Sequence, residues 1–572
     1  MSDERSNGMD RGRFLKLGAA AAAAPAALSL TRAAKAAPAP QLEEATIAQL
    51  QAQMTTGGLT SLSLVQMYLT RIDAIDRRGG LNSVLALNPD AQDIAKQLDA
   101  ERKAGHVRGP LHGIPVMVKA NIDTADKLQT TAGSLALVGQ PAPQDSTVGK
   151  KLRDAGAVIL GKTNLSEWAN FRSFSSTSGW SGVGGLCHNP YALDRNAGGS
   201  SSGSGASTSA NLCAAGLGTE TDGSIVNPAN NDGVVGIKPT VGLTSRAGVV
   251  PISHTQDTVG PHARTVADAA AILSAIASRT ADPRDDATAT SPNGKPRPSI
   301  PADYTQFLDP NGLSGAKIGA LRGPVLTGYS KYTDGVYQDA IDAMSAAGAT
   351  VTDDVALPDM DEILASSAEI IVLIYEFKRD LKKYLDGRTG VPIKTLADAI
   401  AFNNAHADTE LKFFGQEIFE LAESDPFSDA DYAQALADDR RLGGQDGIDA
   451  ALAAGGFDAL VAPTGSPAWT TDLINGDHFL GASSFPSAMA GYPIINVPAG
   501  SPFGVPVGIS FIAGAFSEPL LIKLASGFEA VTKARRVPQF QATLPDAGNP
   551  APKGSSKRHG LPNRKLPAVA NL

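Results

Sequence analysis

The sequence predicts an α/β fold, a single large domain built on a central β-sheet with helices covering its faces. Two observations lead there. Short apolar runs alternate with stretches whose apolar residues recur every three or four positions, as in GIPVMVK, TVGKKLRDAG and AVILGKTN. The composition is that of a globular chain, 42% hydrophobic and 19% charged over 572 residues, with no clear internal repeat. Aromatic residues make up only 5%, so the core must rest on Ala, Val, Leu and Ile.

Taken in order, the first residues read as a targeting segment. Arg11, Arg13 and Lys16 precede an alanine-rich apolar run from Leu17 to Leu30, and Ala34-Lys35-Ala36 offers small residues for cleavage. Residues 1–36 are therefore expected to be an export signal, too short in its apolar run for a stable membrane span. RGRFLKLG resembles a twin-arginine signal, but Gly12 stands where the second arginine belongs, so the export route stays open. The body is expected to run from 37 to 548. From Ala45 to Gly105 the period is helical, and GIPVMVK then switches to a buried strand. Later strands are expected in GVVGIKPT, AKIGALRG, FDALVAP, PIINVPAG and VPVGISFIAG. Helices are expected in TVADAAAILSAIAS, YQDAIDAMSAAG and EPLLIKLASGFEAVTKAR, and a long helical section spans Met360 to about Gly455. The polar segment Ala281–Pro301 reads as a surface loop. Residues 549–572, rich in Pro, Gly and Lys/Arg, are expected to be a disordered basic tail.

Charge is unevenly placed. Net charge is −9, yet residues 1–36 hold six Lys/Arg against three acids, and residues 549–572 hold five and none, leaving about −17 for the body. A body that acidic repels a phosphate backbone, which argues against nucleic acid as a partner. Cys187 and Cys213 allow one bridge or two buried thiols, and the small apolar surroundings of Cys213 (ANLCAAGLG) favour the thiol. No CxxC or HExxH occurs and the eight histidines are scattered, so a metal site has little support.

Chemistry concentrates between Gly198 and Ala229, in GGSSSGSGASTSANLCAAGLGTETDGSIVNPA. A Gly/Ser linker is the bland interpretation, but linkers continue in polar residues, whereas this one runs into an apolar step. TETDGSIV places a serine after a glycine, where the backbone can take positive φ and successive N–H groups can converge on an oxyanion. On these grounds any of several serines could be a nucleophile. The activating partner is sought upstream in Lys119, at the end of GIPVMVK. A strand-end lysine ordinarily just reaches solvent. As a base it must be neutral, which burial beside Val116 and Val118 would promote.

These blocks, in their order, resemble the amidase signature family of serine hydrolases: GIPVMVKANID, GGSSSGSG, GTETDGSIVNPA and GVVGIKPT. NLSEWANFR, CHNPYALDRNAGGSSSGSG, TVGLTSRAGVVPISHTQDT and VGISFIAGAFSEPLL are similar to its peptide amidase branch, and the likeness spans nearly all of residues 45–535. The resemblance implies a mixed central sheet, Ser224 as nucleophile, Lys119 as general base and Ser200 as the bridging serine after a cis peptide bond. It also implies an oxyanion hole of the backbone N–H groups of Thr221, Asp222, Gly223 and Ser224, and no cofactor. Val226 stands where many members carry arginine, as in the peptide amidase branch. Asn227, Asn230 and Asn231 depart from the small and apolar residues expected there and are expected to reshape the leaving-group side of the pocket.

The leading expectation is an exported enzyme, monomeric or homodimeric, that removes the C-terminal amide of peptides. Aryl, aliphatic or cyclic amides and esters are the alternatives within the enzyme class. A component of a transamidating enzyme for charged transfer RNA fits the acidic body poorly. A non-catalytic peptide binder would be expected to have lost one of Lys119, Ser200 and Ser224.

Overall fold

The computed structural model describes residues 42–544, so the expected export segment and the expected basic tail lie outside the described residues. Among the described residues thirteen strands occur, in chain order β1 Val84–Leu87, β2 Pro115–Lys119, β3 Val158–Thr163, β4 Trp180–Ser181, β5 Gly185–Leu186, β6 Ala215–Glu220, β7 Val235–Lys238, β8 Thr258–Ala263, β9 Lys317–Leu321, β10 Thr350–Val355, β11 Ala459–Pro463, β12 Ile494–Gly500 and β13 Val507–Ile512. β4 and β5 pair only with each other, and the other eleven form one sheet in the order β1-β3-β2-β6-β8-β7-β12-β13-β11-β9-β10. The sheet is mixed. β3, β2 and β6 run parallel, the centre from β6 to β11 is antiparallel, and β11, β9 and β10 are parallel again.

Helices flank the sheet, and the burial of its strands shows that both faces are covered. Every residue of β2, β3, β6, β7, β8, β11 and β13 is buried, the pattern of strands that read as continuous apolar runs rather than as alternation. Side chains of β2, β3 and β6 join those of the helices Ser61–Arg71, Ala91–Lys103 and Val266–Ile276 in one aliphatic core. The section from Met360 to Gly455 is helical as expected, with a core of its own. Leu373, Phe377, Leu381 and Leu385 of the helix Ala368–Asp386 pack on Phe419, Trp168 and Phe171. Phe377 stacks on Phe419 at 5.2 Å and meets Phe171 edge-on at the same distance. This layer therefore docks on the loop that follows β3.

Six of these strands, β1, β4, β5, β6, β8 and β10, were not expected from the sequence, and two of them show why. β1 interrupts the N-terminal helical stretch, because four residues in SVLALN are too few to establish a period of their own beside long helices. β8 contains Gly260 and Pro261, which argue against a strand, yet it pairs with both β6 and β7. Both cysteines are buried free thiols.

Candidate active site

The serine-rich stretch is a helix, Ser202–Ser209, and all eight residues are buried. Small residues explain how so polar a segment reaches the interior. A Cβ on Gly203 would lie 2.3 Å from the carbonyl oxygen of Ser83 and 2.5 Å from that of Asn164, so only glycine permits this approach. The hydroxyls bond within the fold: Ser204 Oγ donates to the Leu217 carbonyl at 2.8 Å and sits 2.8 Å from Thr163 Oγ1. Ser204 is thus part of the scaffold.

Lys119 ends β2 beside β6, and its side chain is fully buried. Its Nζ donates to Ser200 Oγ at 2.7 Å and to Thr219 Oγ1 at 2.9 Å, and lies 3.3 Å from the Thr219 carbonyl. Asn121 donates to the same Thr219 Oγ1 at 2.9 Å. Burial drives the Lys119 pKa down to about 7, against the opposing pull of the Asp257 and Glu220 carboxylates. Lys162 and Lys238 are also fully buried, but they bond the Ile122 carbonyl with Thr130 Oγ1, and the Ser487 carbonyl. Among these three lysines, Lys119 alone bonds a serine hydroxyl.

Ser200 follows a cis peptide bond from Gly199. Its carbonyl accepts from Ser166 N at 3.0 Å, and the next residue, Ser201, donates its N–H to the Ser224 carbonyl at 3.2 Å. The backbone after Ser200 is thereby laced to the backbone of Ser224. Asn227 Oδ1 accepts from Gly199 N at 3.1 Å. Asn230 bonds the Ser466 carbonyl and accepts from Gly508 N, and it also bonds Asn231. Asn227 Oδ1 and both ends of the Asn230 amide are thus bonded to the scaffold.

The turn Thr221–Ser224 links β6 to the short helix Val226–Asn231. Gly223 supplies its positive φ of 77°, and its carbonyl accepts from Asn227 N at 2.7 Å. The Glu220 carboxylate takes the N–H groups of Ile225 and Val226 at 2.6 and 2.9 Å, and Thr221 Oγ1 donates to Asp257 at 2.6 Å. The Ile225 carbonyl faces His262 Nε2 at 2.9 Å. Burial holds the His262 pKa down at about 4, so the ring is neutral and donates from Nε2. Ser224 and Thr221 are buried, whereas Asp222 is exposed. The sequence therefore named Lys119, Ser200 and the turn, and the structure brings them together. It did not single out Thr219, Asn121, Asp257 or His262. Thr219 lay within the quoted stretch, but nothing in its neighbours distinguishes a side chain facing a lysine 100 positions away.

Two other features are a cavity that shares Asp257 with this region and a cluster of ligand-type atoms. A cavity of about 690 Å³ is bounded by Arg246, Ser253, His254, Asp257 and Arg388, and touches none of Lys119, Ser200 and Ser224. At its edge His254, Glu376 and Asp380 gather ligand-type atoms within 4.8 Å. His254 Nδ1 already pairs with Asp380 at 2.9 Å, while Tyr432 and Thr255 bond Glu376, an arrangement satisfied without a metal.

A family model described as Amidase matches residues 63–522. A probable amidase of Arabidopsis thaliana is 43% identical over 507 residues, covering 88% of this chain and 92% of the relative. The crystal structure of native peptide amidase from Stenotrophomonas maltophilia superposes with a TM-score of 0.81 at 49% identity, covering 87% of this chain and 99% of that one. That of an amidase family protein from Bacillus anthracis superposes with a TM-score of 0.77 at 35% identity, covering 87% and 93%.

Proposed function

From the premise that this chain belongs to the amidase family of amide-bond hydrolases, we propose that it removes the C-terminal amide of peptides by a Ser-Ser-Lys relay. The observation that carries the relay is the buried Lys119, with a pKa of about 7 and its Nζ 2.7 Å from Ser200 Oγ. At neutral pH an appreciable share of Lys119 is neutral and can accept a proton. The peptide specificity is supported by the likeness to a solved peptide amidase over nearly all of that chain.

In this mechanism Lys119 draws the proton of Ser200, which takes that of Ser224, and Ser224 Oγ attacks the amide carbonyl. The oxyanion is received by the N–H groups of Thr221, Asp222, Gly223 and Ser224, where one lost donor typically costs about 3–4 kcal/mol. The relay returns the proton to the leaving nitrogen, the C–N bond breaks and ammonia departs. Water then attacks the acyl ester, passes its proton to the relay, and frees the carboxylic acid and Ser224.

A panel of peptide amides, free-acid peptides and simple amides, read by mass spectrometry, tests this. Peptide amides are expected to lose the terminal amide with internal bonds intact, and turnover is expected to fall at least about a thousandfold in folded Ser224→Ala and Lys119→Ala. Cleavage of simple amides only, or near-parental activity in either variant, would overturn the proposal. The proposed place of action is outside the cytoplasm, on the pattern of residues 1–36. N-terminal sequencing of exported protein should find that segment removed, and an intact N-terminus on protein kept in the cytoplasm would contradict it.

A further inference from the structure

Six large apolar side chains are exposed among the described residues, and four of them gather on two adjoining segments. Phe174 is 51% exposed, Ile474 79%, Phe479 50% and Leu480 53%. The segments are tied side by side. Ser178 N donates to Asp477 at 3.0 Å, Thr177 Oγ1 to the Asp472 carbonyl at 3.3 Å, and a Cβ on Gly476 would lie 3.5 Å from the Ser175 carbonyl. The apolar groups are held rather than loose. Asp472 takes the N–H groups of Ile474 and Asn475 at 2.9 Å, Phe479 meets the buried Trp469 edge-on at 6.0 Å, and Glu417 takes Phe174 N at 2.8 Å. Scattered exposed apolar residues need no explanation, but a cluster fixed on an ordered scaffold does.

The location supplies the explanation. A Cβ on Gly199, the residue before Ser200, would lie 2.8 Å from Ser178 Oγ. A Cβ on Gly223, the residue before Ser224, would lie 3.1 Å from Ser484 Oγ. Asn196 N donates to the Trp469 carbonyl and Asn196 Oδ1 accepts from Gly198 N, at 2.8 and 2.7 Å. Asn230 reaches the Ser466 carbonyl at 2.9 Å. Both apolar segments therefore meet, through Ser178, Trp469, Ser466 and Ser484, the backbone that carries the two serines, so the patch stands on the chain that borders the candidate site.

We infer that Phe174, Ile474, Phe479 and Leu480 form a platform for the apolar side chains that precede the C-terminal residue of a peptide amide. This inference rests on the proposed peptide specificity. A simple amide held at Ser224 would leave the platform uncovered, whereas a peptide continuing out of the site passes over it. Covering one large apolar side chain corresponds to roughly tenfold in affinity.

Two tripeptide amides ending in alanine serve as probes, one with phenylalanine and leucine ahead of it, the other with two glycines. Binding is measured on full-length Ser224→Ala, and turnover on the parent. The apolar peptide should bind about tenfold or more tightly than the glycine peptide, and the parent should show the same preference in kcat/KM. Ile474→Ser/Phe479→Ser/Leu480→Ser should bring that ratio to about one, while Val107→Ser and Val531→Ser, at the other two exposed positions, should keep it. Equal binding of the two peptides, or a ratio unmoved by the triple substitution, overturns the platform even if peptide amides are hydrolysed. A ratio that collapses in the triple variant while no peptide amide is hydrolysed supports the platform and removes the proposed reaction. Binding of neutral phosphatidylcholine vesicles that depends on the same three residues, with no discrimination between peptides, overturns it in favour of a lipid surface.

Discussion

At the scale of the residue, the proposed chemistry turns on one lysine. Lys119 is fully buried, and burial lowers its pKa from 10.5 to about 7. Two pH effects follow. The rate should rise as pH passes through about 7, because in the proposed relay only the neutral amine accepts the Ser200 proton, and a log kcat/KM profile for a peptide amide checks this. Stability should respond as well. Between about pH 7 and 10.5 the unfolded chain binds a proton at this position that the folded chain has released, so the folded state gains stability as pH rises through that window. Replacing the lysine by methionine removes the effect. Urea unfolding should therefore show the stability difference between parent and Lys119→Met moving in the parent's favour from pH 7 to 10. A pH-independent difference would mean that Lys119 titrates alike in both states. Burial was argued from Val116 and Val118, and that much was legible. The partner Thr219 was not, since local sequence carries no signal for a contact spanning 100 positions.

At the scale of the element, the helix Ser202–Ser209 inverts an ordinary expectation. Alanine is a better helix former than glycine by about 1 kcal/mol, so Gly203→Ala should stabilise an isolated helix. Here the added carbon would sit 2.3 Å from the Ser83 carbonyl and 2.6 Å from Asn164 N, and backbone atoms do not yield cheaply. We expect Gly203→Ala to destabilise the protein by about 1–3 kcal/mol, read from the urea midpoint, and activity to fall because Ser200 lies just ahead of this helix. A stabilised variant would contradict the packing described. The same helix marks the boundary of what sequence can tell. Glycine and serine in a row read equally as linker or as closely packed scaffold, and only the apolar run after it tipped the balance. The apolar strands β2, β3, β7, β11, β12 and β13 were legible because continuous aliphatic runs require burial on both faces. β8 was not, because its glycine and proline are accepted only through pairing with β6 and β7 on either side.

At the scale of the whole molecule, the fold is what makes distant residues into neighbours. β2 and β6 run parallel and adjacent, so Lys119 at the end of one strand and Glu220 at the end of the other reach the same edge of the sheet. The chain between β3 and β6 then delivers Ser200 to that edge, and the helical layer from Met360 to Gly455 packs on the loop after β3. The alternation of strands and helices was legible. The strand order was not, because an antiparallel centre between two parallel wings leaves no periodic trace in the chain. The central claim is that this topology makes Lys119, Ser200 and Ser224 one chemical unit. Labelling of the folded protein with a serine-reactive fluorophosphonate, mapped by peptide mass spectrometry, tests it most directly. One adduct is expected, on Ser224, forming in the parent and slowed at least about a hundredfold in both Lys119→Met and Ser200→Ala. An adduct on another serine, or labelling of Ser224 at an unchanged rate in those variants, would contradict it.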